Sequence, residues 1–471
     1  MSAQPFGALA VLRLGLVQAS LGAMVVLSTS TLNRVMVVEM ALPAFIPGLL
    51  LALHYVVQIS RPRMGHGSDL GQRRSPWILG GMVVLGAGSW LAALATVLMG
   101  QPNPAAGMVL ALLAYSLIGL GVAASGTSLL ALLAKRVPAP RRAAAATTVW
   151  ILMIAGFVLT AVVSGHFLDP FSPERLLRVS AGVALAAIVL TALALLGLEG
   201  PGHAAQAHAD ASGTHAPPAA AAASFKQALA EAWAEPRARR FTVFVFVSML
   251  AFSMQDLILE PFAGLVFGLS PGATTQLSGT QHGGALLGML AAAAAGSRWA
   301  GRHWGSVRSW TVWGCVASSL ALLGLFSAGL QGPGWPLQAN VFLLGLSTGA
   351  FSIAAIASMM GLAGGQAGAD ADADTEGGGA AAGGQEGVRM GLWGAAQALA
   401  FAFGGLLGTS ASDLLRWGLG DIGLAYGLVF LLDAGLFLWA ARLAAGVASQ
   451  PAALSPAAPP ALFPTQLESA P

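Results

Sequence analysis

A chain of 471 residues is long enough for roughly two or three soluble domains, but 56% hydrophobic and only 9% charged residues exclude a soluble globular protein. The net charge of +3 and the pI near 9.5 would favour nucleic-acid binding in a soluble chain. Here, however, the basic residues lie in short loops between apolar segments, which argues against that class. Cys315 is the only cysteine, so no intramolecular disulfide forms, and the N-terminus lacks the pattern of a cleaved signal peptide. The composition predicts a polytopic membrane protein.

Twelve segments of the chain are apolar over about the 20 residues that a helix needs to cross a bilayer. They lie near residues 10–32, 41–60, 77–99, 105–133, 145–166, 178–198, 241–268, 279–297, 309–330, 335–362, 390–411 and 423–445. The first contains Arg13 and Gln18, and the seventh contains Gln255, Asp256 and Glu260. The pattern predicts an all-α polytopic membrane protein with about twelve transmembrane helices, of which these two are the most polar.

Basic residues concentrate in alternate loops. The loops after the even-numbered segments contain Arg61, Arg63, Arg73 and Arg74; Lys135, Arg136, Arg141 and Arg142; Lys226, Arg237, Arg239 and Arg240; Arg298, Arg302 and Arg308; and Arg389. The other loops contain Arg34, Arg175, Arg178 and Arg416. By the positive-inside rule, we expect the basic loops and both termini to be cytoplasmic.

A low-complexity stretch at residues 199–224 divides the segments into two sets of six. The sequence therefore predicts an N-terminal six-helix half (1–198), a cytoplasmic linker (199–240), a C-terminal six-helix half (241–446) and a disordered Pro/Ala-rich tail (447–471). The end of the linker, FKQALAEAWAEPRARRF, fits either an amphipathic helix on the membrane surface or a solvated helix.

The acidic run at 364–387, GGQAGADADADTEGGGAAAGGQEG, resembles a calcium loop in composition only. Its alternating Ala and flanking Gly lack the fixed ligand spacing of an EF-hand, so the run favours disorder. The chain also contains no GxxxxGK phosphate loop and no Cys/His cluster at zinc spacing, and no catalytic Ser/His/Asp set can be assigned. We therefore expect a protein that is not an enzyme and that has no metal site of its own.

The most charged loop, RPRMGHGSDLGQRRSPW (61–77), contains Gly65, Asp69, Arg73 and Arg74. The pattern resembles the loop between the second and third helices of the major facilitator superfamily, except that the residue after the Asp is not basic and the next Gly comes one place early. Glycines let helices approach closely, Asp caps helix N-termini, and Arg holds carbonyls or carboxylates of a neighbouring helix. We expect this loop to latch one conformation.

The corresponding loop of the second half, GSRWAGRHWGSVR, contains a weaker copy of the pattern. Gly296 matches Gly65, Ala300 stands at the place of Asp69, and Arg302 remains as a basic residue. Two halves related by a repeat would leave such a copy. The alternative is that any short cytoplasmic loop collects Gly and Arg.

Three polar residues interrupt the seventh segment within MQDLILEPFAGLVFGL, namely Gln255, Asp256 and Glu260. Asp256 and Glu260 are four residues apart and share one helix face. Charges inside a bilayer usually face the bundle interior or a cavity, which predicts a functional site. The alternative is that the helix breaks near Pro261 and the carboxylates lie at the membrane surface, paired with a cation such as Arg34.

Histidines supply a second kind of candidate. His54 and Gln58 lie four residues apart in LALHYVVQIS, and a neutral imidazole in a membrane can ligate a metal, including the central metal of a tetrapyrrole. The apolar surroundings of His54 favour a groove that faces lipid, whereas the alternative is a hydrogen-bonded packing residue. His66 and His282 are weaker candidates near the membrane surface.

Three longer stretches together are similar to the PucC/LhaA family of purple phototrophic bacteria. They are STLNRVMVVEMALPAFIPGLLLALHYVVQISRPRMGHGSD, GTSLLALLAKRVPAPRRAAAATTVWILMIAGF and SMQDLILEPFAGLVFGLSPGATTQLSG. The resemblance covers most of residues 10–445 and is nearer to the LhaA branch, because the loop after Asp69 is short. It implies a major-facilitator-like fold.

The resemblance implies a protein that assists the assembly of light-harvesting complexes, either by binding bacteriochlorophyll or by delivering it to antenna polypeptides. It also implies a location in the photosynthetic cytoplasmic membrane, with antenna polypeptides, bacteriochlorophyll and pigment-synthesis enzymes as partners. The family motifs carry over onto Gln255, Asp256, Glu260 and Pro261 and, in the first loop, onto Gly65, Asp69, Arg73 and Arg74. The candidate pigment ligands, His54, Gln58 and His282, come from their chemistry and not from a family motif. The alternative function is a secondary transporter that uses Asp256 or Glu260 as a proton site.

If Asp69 and the Arg73/Arg74 pair form a latch, Asp69→Ala should lower the assembly of antenna complexes and leave membrane insertion intact. Insertion follows the distribution of cations and not one carboxylate. Antenna absorption of whole cells measures the first effect, and the amount of the protein in membranes measures the second. Wild-type antenna absorption in the variant would contradict the latch.

Overall fold

The protein is a bundle of long helices in the computed structural model, which describes the backbone of residues 6–61, 64, 73–138, 141–199, 233–234, 236–296, 307–364 and 379–447. Over these ranges the helices are α1 (Ala8–Glu39), α2 (Phe45–Ser60), α3 (Ser75–Met99), α4 (Ala105–Arg136), α5 (Arg142–Leu168), α6 (Pro173–Leu195), α7 (Pro236–Phe267), α8 (Pro271–Gly296), α9 (Val307–Gln331), α10 (Leu337–Gly364), α11 (Gly379–Leu419) and α12 (Ile422–Val447). Each overlaps one predicted segment, which confirms an all-α protein with about twelve helices.

Ten helices of the described part are long and apolar enough to cross a membrane. Of the other two, α2 is shorter and α8 carries polar residues in its first half. Large apolar side chains are exposed on the outer faces of the bundle, among them Leu185 (65% exposed), Trp313 (67%) and Leu320 (63%). Such a continuous apolar exterior is the surface of a protein that contacts lipid.

Several helices extend beyond the apolar segments that predict them. The first continues to Glu39, and α7 begins at Pro236, inside the predicted linker. Helix α11 begins at Gly379, so residues 379–387 are helical and the prediction of disorder is wrong for that part of the acidic run. Hydropathy marks only the part of a helix that is in lipid, whereas backbone hydrogen bonds continue through polar residues.

Some predictions fall outside the described residues. These are Gly65 and Asp69 of the first loop, most of the weaker copy in the second half, the linker at 200–232, and the tail from 448. The tail, the linker at 200–232 and the beginning of the helix predicted at the end of the linker therefore stay predictions, whereas residues 236–240 of the predicted linker are the first residues of α7.

The two halves repeat one packing pattern. In the first half α1 packs against α5, α2 against α4, and α3 against both α4 and α6. In the second half α7 packs against α11, α8 against α10, and α9 against both α10 and α12. The same order of neighbours in both halves is the arrangement that an internal repeat produces.

Contact between the halves is made by equivalent pairs of helices. Helix α5 packs against α8, and α2 packs against α11, so each half contributes its second and fifth helices. The polar end of α1 lies against α7. The interface between the halves therefore runs through the centre of the molecule.

Helices α8 and α10 approach each other through facing pairs of glycines. A Cβ at Gly288 would meet the backbone carbonyl of Leu346, and a Cβ at Gly349 would meet the backbone of Ala285. Gly284 and Gly345 make similar backbone contacts one turn away. Small residues at this four-residue spacing let helices pack closely in a membrane.

Replacement of Gly288 by leucine should lower the Tm of the detergent-solubilised protein. The side chain would force α8 away from α10, and overpacking costs about 1–3 kcal/mol. Gly283→Leu in the same helix is the matched control, because a Cβ there would meet no atom within 4 Å. Size-exclusion chromatography after stepwise heating measures Tm, and equal values for the two variants would contradict the close contact.

Candidate functional site

The second half of α1 is polar and lies in the interface between the halves. Its path includes two π-helical turns, Leu27–Thr31 and Val35–Glu39, a local geometry that is frequent at functional sites. Five polar side chains of this segment are buried, namely Ser28, Ser30, Thr31, Asn33 and Arg34. Buried polar groups in a membrane need partners inside the protein: Ser28 bonds to the carbonyl of Met24 in its own helix, and the other four side chains find partners in the other half.

Asn33 bonds to a backbone carbonyl that Pro261 leaves without a donor. Pro261 lies inside the continuous helix α7 and has no N–H, so the helical hydrogen bond to the carbonyl of Leu257 cannot form. The side-chain amide of Asn33 donates to that carbonyl at 2.6 Å. Helix α7 continues to Phe267, so the alternative of a helix broken near Pro261 is wrong.

Glu260 lies next to this bond and is 3% exposed. The hydroxyl of Ser30 donates to one carboxylate oxygen, while the other oxygen is buried and has no hydrogen-bond partner. The hydroxyls of Thr31 and Thr275 are 3.0 Å apart one residue further along α1. Glu260 is therefore a buried carboxylate that faces the other half.

Arg34 places a buried positive charge beside these groups. Its guanidinium donates to the carbonyl of Leu269 at 2.6 Å and forms an ion pair with Glu39. Gly264 provides the room, since a Cβ there would lie 3.1 Å from two guanidinium nitrogens of Arg34. The ion pair of Arg34 is thus with Glu39 of its own helix, and not with Glu260 as the alternative expects.

Gln255 and Asp256 lie about one turn before Glu260 on α7. Gln255 is fully buried, and both of its amide atoms lack a hydrogen-bond partner. Asp256 is only half-buried and interacts electrostatically with Tyr55 of α2 and with His282 of α8. The two carboxylates of α7 therefore have different neighbours, although they are four residues apart.

His282 is half-buried and is held in one orientation. Its Nδ1 atom lies 2.8 Å from the carbonyl of Ser278, which only accepts, so Nδ1 carries the proton. In the neutral ring Nε2 then has a free lone pair. The ring packs edge-to-face on Phe157 of the first half, with centroids 4.9 Å apart.

His54 is buried inside the first half and does not face lipid. The amide nitrogen of Gln58 lies 2.8 Å from Nε2, and Arg61 donates to the oxygen of the same amide. The amide nitrogen only donates, so Nε2 accepts and its lone pair is occupied. Val25, Ser28, Thr29, Leu51, Tyr115 and Ile118 lie around the ring and leave no space there for a water molecule. The predicted lipid-facing groove is wrong, because α1 and α4 cover this face of α2.

The end of the charged first loop is held by backbone contacts. The guanidinium of Arg74 donates to the carbonyl of Ala131 at 2.7 Å, which is the kind of contact that we expect of this loop. Arg73 is exposed.

Glu199 accepts hydrogen bonds from the backbone N–H groups of Arg74 and Ser75, and so caps α3. Sequence reasoning missed Glu199, because the two partners are 125 residues apart in the chain.

Besides Glu260, two carboxylates join the halves, and each of them binds the N-terminus of a helix. Asp413 of α11 accepts from the backbone N–H groups of Ala44 and Phe45 at 3.0 and 2.8 Å, where α2 begins. Asp169, which follows α5, accepts from the Ser270 hydroxyl at 2.8 Å and from the Gly272 N–H at 3.2 Å, where α8 begins. In each contact, a carboxylate in or directly after the fifth helix of one half binds the start of the second helix of the other half. We call these two contacts the carboxylate latches.

All side-chain hydrogen bonds between described residues of the two halves lie toward one end of the bundle. This end, which we call the distal end, holds the loops after α1, α5, α7 and α11 and is opposite to the ends where α1 starts and α12 finishes. The latches and the bonds of Ser30, Thr31, Asn33 and Arg34 all lie there. The halves are thus joined by polar contacts distally, whereas Asp256 and His282 lie nearer the middle.

The sequence matches a family model described as PUCC protein over residues 31–451. The chain belongs to the PUCC protein family. The "Bacteriochlorophyll synthase 44.5 kDa chain" of Rhodobacter capsulatus is 51% identical over 94% of this chain and 96% of its own length. An "Uncharacterized protein in puhA-bchM intergenic region" from Rhodobacter capsulatus is 30% identical, over 96% of this chain and 91% of that protein. A "Protein PucC" of Rhodovulum sulfidophilum is 29% identical, over 86% of this chain and 85% of that protein.

These matches confirm the family that the sequence motifs predict. The position nearer to the LhaA branch stays a prediction, because none of these names tests it. The alignment with each relative covers most of this chain, so the similarity includes both halves of the bundle.

Solved transporters share the fold. The bacterial homolog of the human lysosomal transporter Spinster, inward-facing and occupied, has a TM-score of 0.65 and 12% identity over 95% of this chain and 97% of its own. The xylose transporter XylE from E. coli, partially occluded and inward open, has a TM-score of 0.63 and 14% identity over 94% and 99%. At such low identity the likeness shows the fold alone, which is the predicted major-facilitator-like fold.

Removal of both carboxylate latches should loosen the distal end. Each carboxylate caps a helix of the opposite half, and such a contact contributes about 0.5–2 kcal/mol. In the variant with Asp169→Ala and Asp413→Ala, a cysteine introduced at Thr275 should react with a water-soluble thiol reagent about tenfold faster, for a loss near 1.4 kcal/mol. Thr275 is 1% exposed and the native Cys315 is fully buried, so the background is low.

Asp421→Ala is the matched control for the latches. Asp421 accepts from the N–H of Leu424 at 2.9 Å and caps α12 within its own half. Its loss should leave labelling at Thr275 unchanged. Equal labelling of the latch variant and the control would contradict the role of the latches.

Proposed function

We propose that this PUCC protein is a membrane assembly factor for bacterial light-harvesting antenna complexes, which binds bacteriochlorophyll and passes it to antenna polypeptides. The observation that carries the proposal is the family match over residues 31–451, which includes helices of both halves. A relative with 51% identity bears bacteriochlorophyll in its name, which supports a pigment as the ligand.

Aromatic side chains from both halves line the middle of the interface and support a flat, largely apolar ligand. The ring of Tyr55 lies 5.4 Å from that of Phe401, and Phe401 lies 5.9 Å from Phe252. On the other side Phe157 meets His282. These rings are only partly buried, and ligand sites of this kind combine apolar walls with a few polar groups.

The proposed role is binding and not catalysis, although the relative is named a synthase. Most polar groups at the distal interface are hydrogen-bonded to one another or to backbone, as Asn33 is to Leu257 and Thr31 to Thr275. Such an arrangement joins two halves of a protein and leaves few groups free to act on a substrate.

We also propose the photosynthetic cytoplasmic membrane as the location, with cytoplasmic termini and with pigment-synthesis enzymes as additional partners. The distribution of cations between the loops supports this orientation.

A proton-coupled transporter is the second candidate. It is favoured by the fold and by the position of Glu260, an interior carboxylate with one oxygen unpartnered between the two halves. In transporters of this fold type the site lies at the interface of the repeats, where rocking of the halves exposes it to each side in turn.

Deletion of the gene in a pigment-producing purple bacterium should lower antenna absorption, and the wild-type gene should restore it. The protein purified in mild detergent should carry bacteriochlorophyll absorption. Asp256→Asn and Glu260→Gln should keep bound pigment, because a pigment binder needs no proton exchange at these carboxylates. Pigment per protein in the purified samples measures this.

Proteoliposomes test the transporter directly. Uptake of a small molecule that depends on a proton gradient, and that Glu260→Gln abolishes, would replace the proposed function. Unchanged antenna absorption in the deletion strain would also contradict the proposal.

A further inference from the structure

His282 has the contacts of a metal-ligating histidine. Its Nδ1–H donates to the carbonyl of Ser278 at 2.8 Å, and the Ser278 hydroxyl lies 3.4 Å from the same nitrogen. Histidines that bind metals commonly donate their other ring N–H to a backbone carbonyl, which sets the tautomer and the orientation of the ring. In His282 this contact directs the lone pair of Nε2 away from its own helix.

The position of His282 is between the halves. Its ring meets Phe157 edge-to-face, with an angle of 88° between the ring planes. Asp256 of α7 interacts with it electrostatically, and Asp256 also interacts with Tyr55 of α2. Groups from both halves thus surround an imidazole that is only partly buried, so a ligand can reach Nε2.

His54, which also lies inside the bundle, differs from His282 in the contacts of its Nε2 atom. Nε2 of His54 accepts from Gln58, and the ring is 2% exposed. A macrocycle has no approach to it, because side chains of α1 and α4 pack around the ring and leave no space beside it even for a water molecule. The contacts therefore favour the packing role for His54 and leave His282 with the available donor atom.

We propose that Nε2 of His282 is the axial ligand to the central magnesium of a bacteriochlorophyll bound between the two halves. The inference rests on the proposed function and names the residue that would select a magnesium tetrapyrrole. The aromatic side chains Phe157, Tyr55 and Phe401 would supply apolar contacts to the ring system.

Binding of two pigments that differ only in the metal tests this assignment. The full-length protein, purified without pigment, is titrated in detergent with bacteriochlorophyll and with metal-free bacteriopheophytin, and binding is followed by absorption. Wild type should prefer the magnesium pigment. His282→Leu should weaken binding of that pigment by about tenfold or more, as expected when a metal's coordination is disturbed, and leave bacteriopheophytin binding unchanged.

A second variant separates ligation from folding. His282→Gly should lose the preference for the magnesium pigment and regain it when free imidazole is added, which a folding defect would not allow. His166→Leu is the control, since His166 is an exposed histidine at the end of α5. The occupied Nε2 of His54 predicts that His54→Leu keeps the preference.

Two failures are distinguishable. If wild type binds neither pigment, the proposed function fails and the assignment with it. If wild type prefers the magnesium pigment and His282→Leu binds it equally well, only the assignment of His282 is overturned. Loss of both pigments to the same degree in His282→Leu, without rescue of His282→Gly by imidazole, would also overturn it, because His282 would then shape the site without ligating the metal.

Discussion

Pro261 creates the interaction on which the contact between the halves depends. A proline in the interior of α7 removes one helical donor and leaves the carbonyl of Leu257 unpaired inside the membrane, where an unpaired carbonyl is costly. Asn33 of the first half supplies the missing donor. The helix keeps its path because the other half completes its hydrogen bonding, and the polar neighbours Ser30 and Glu260 are buried together at the same place.

The remaining distal contacts use the same principle, since most of them pair a side chain with a backbone group of the opposite half. Arg34 bonds to a carbonyl beyond the end of α7, and Asp169 and Asp413 bond to N–H groups at the starts of α8 and α2. Helix ends present such groups in every membrane bundle. Side chains that bond to these backbone groups can hold two halves together without a dedicated partner side chain. Because the two halves repeat one packing pattern, an equivalent carboxylate latch occurs on each side.

The interface divides into two regions with different chemistry. The distal region is hydrogen-bonded and buried, with Glu260 and Arg34 at its centre. The middle region is lined by half-buried rings and by the pair of Asp256 and His282. The middle region thus has the composition of a ligand site, with apolar walls and a few polar groups.

The sequence by itself determined the helices, the two halves and the family, because span length, loop charge and the motif around Glu260 are local patterns. It placed the polar residues of α7 in the membrane but did not decide which way they face. Only the tertiary structure paired Asn33 with Leu257, which is 224 residues away. The tertiary structure also makes His282, and not His54, the better candidate ligand. Both histidines lie in apolar segments, and only packing shows that Nε2 of His54 accepts from Gln58 while Nε2 of His282 is free. A side chain's available lone pair depends on what other helices bring to it, and no local pattern contains that information.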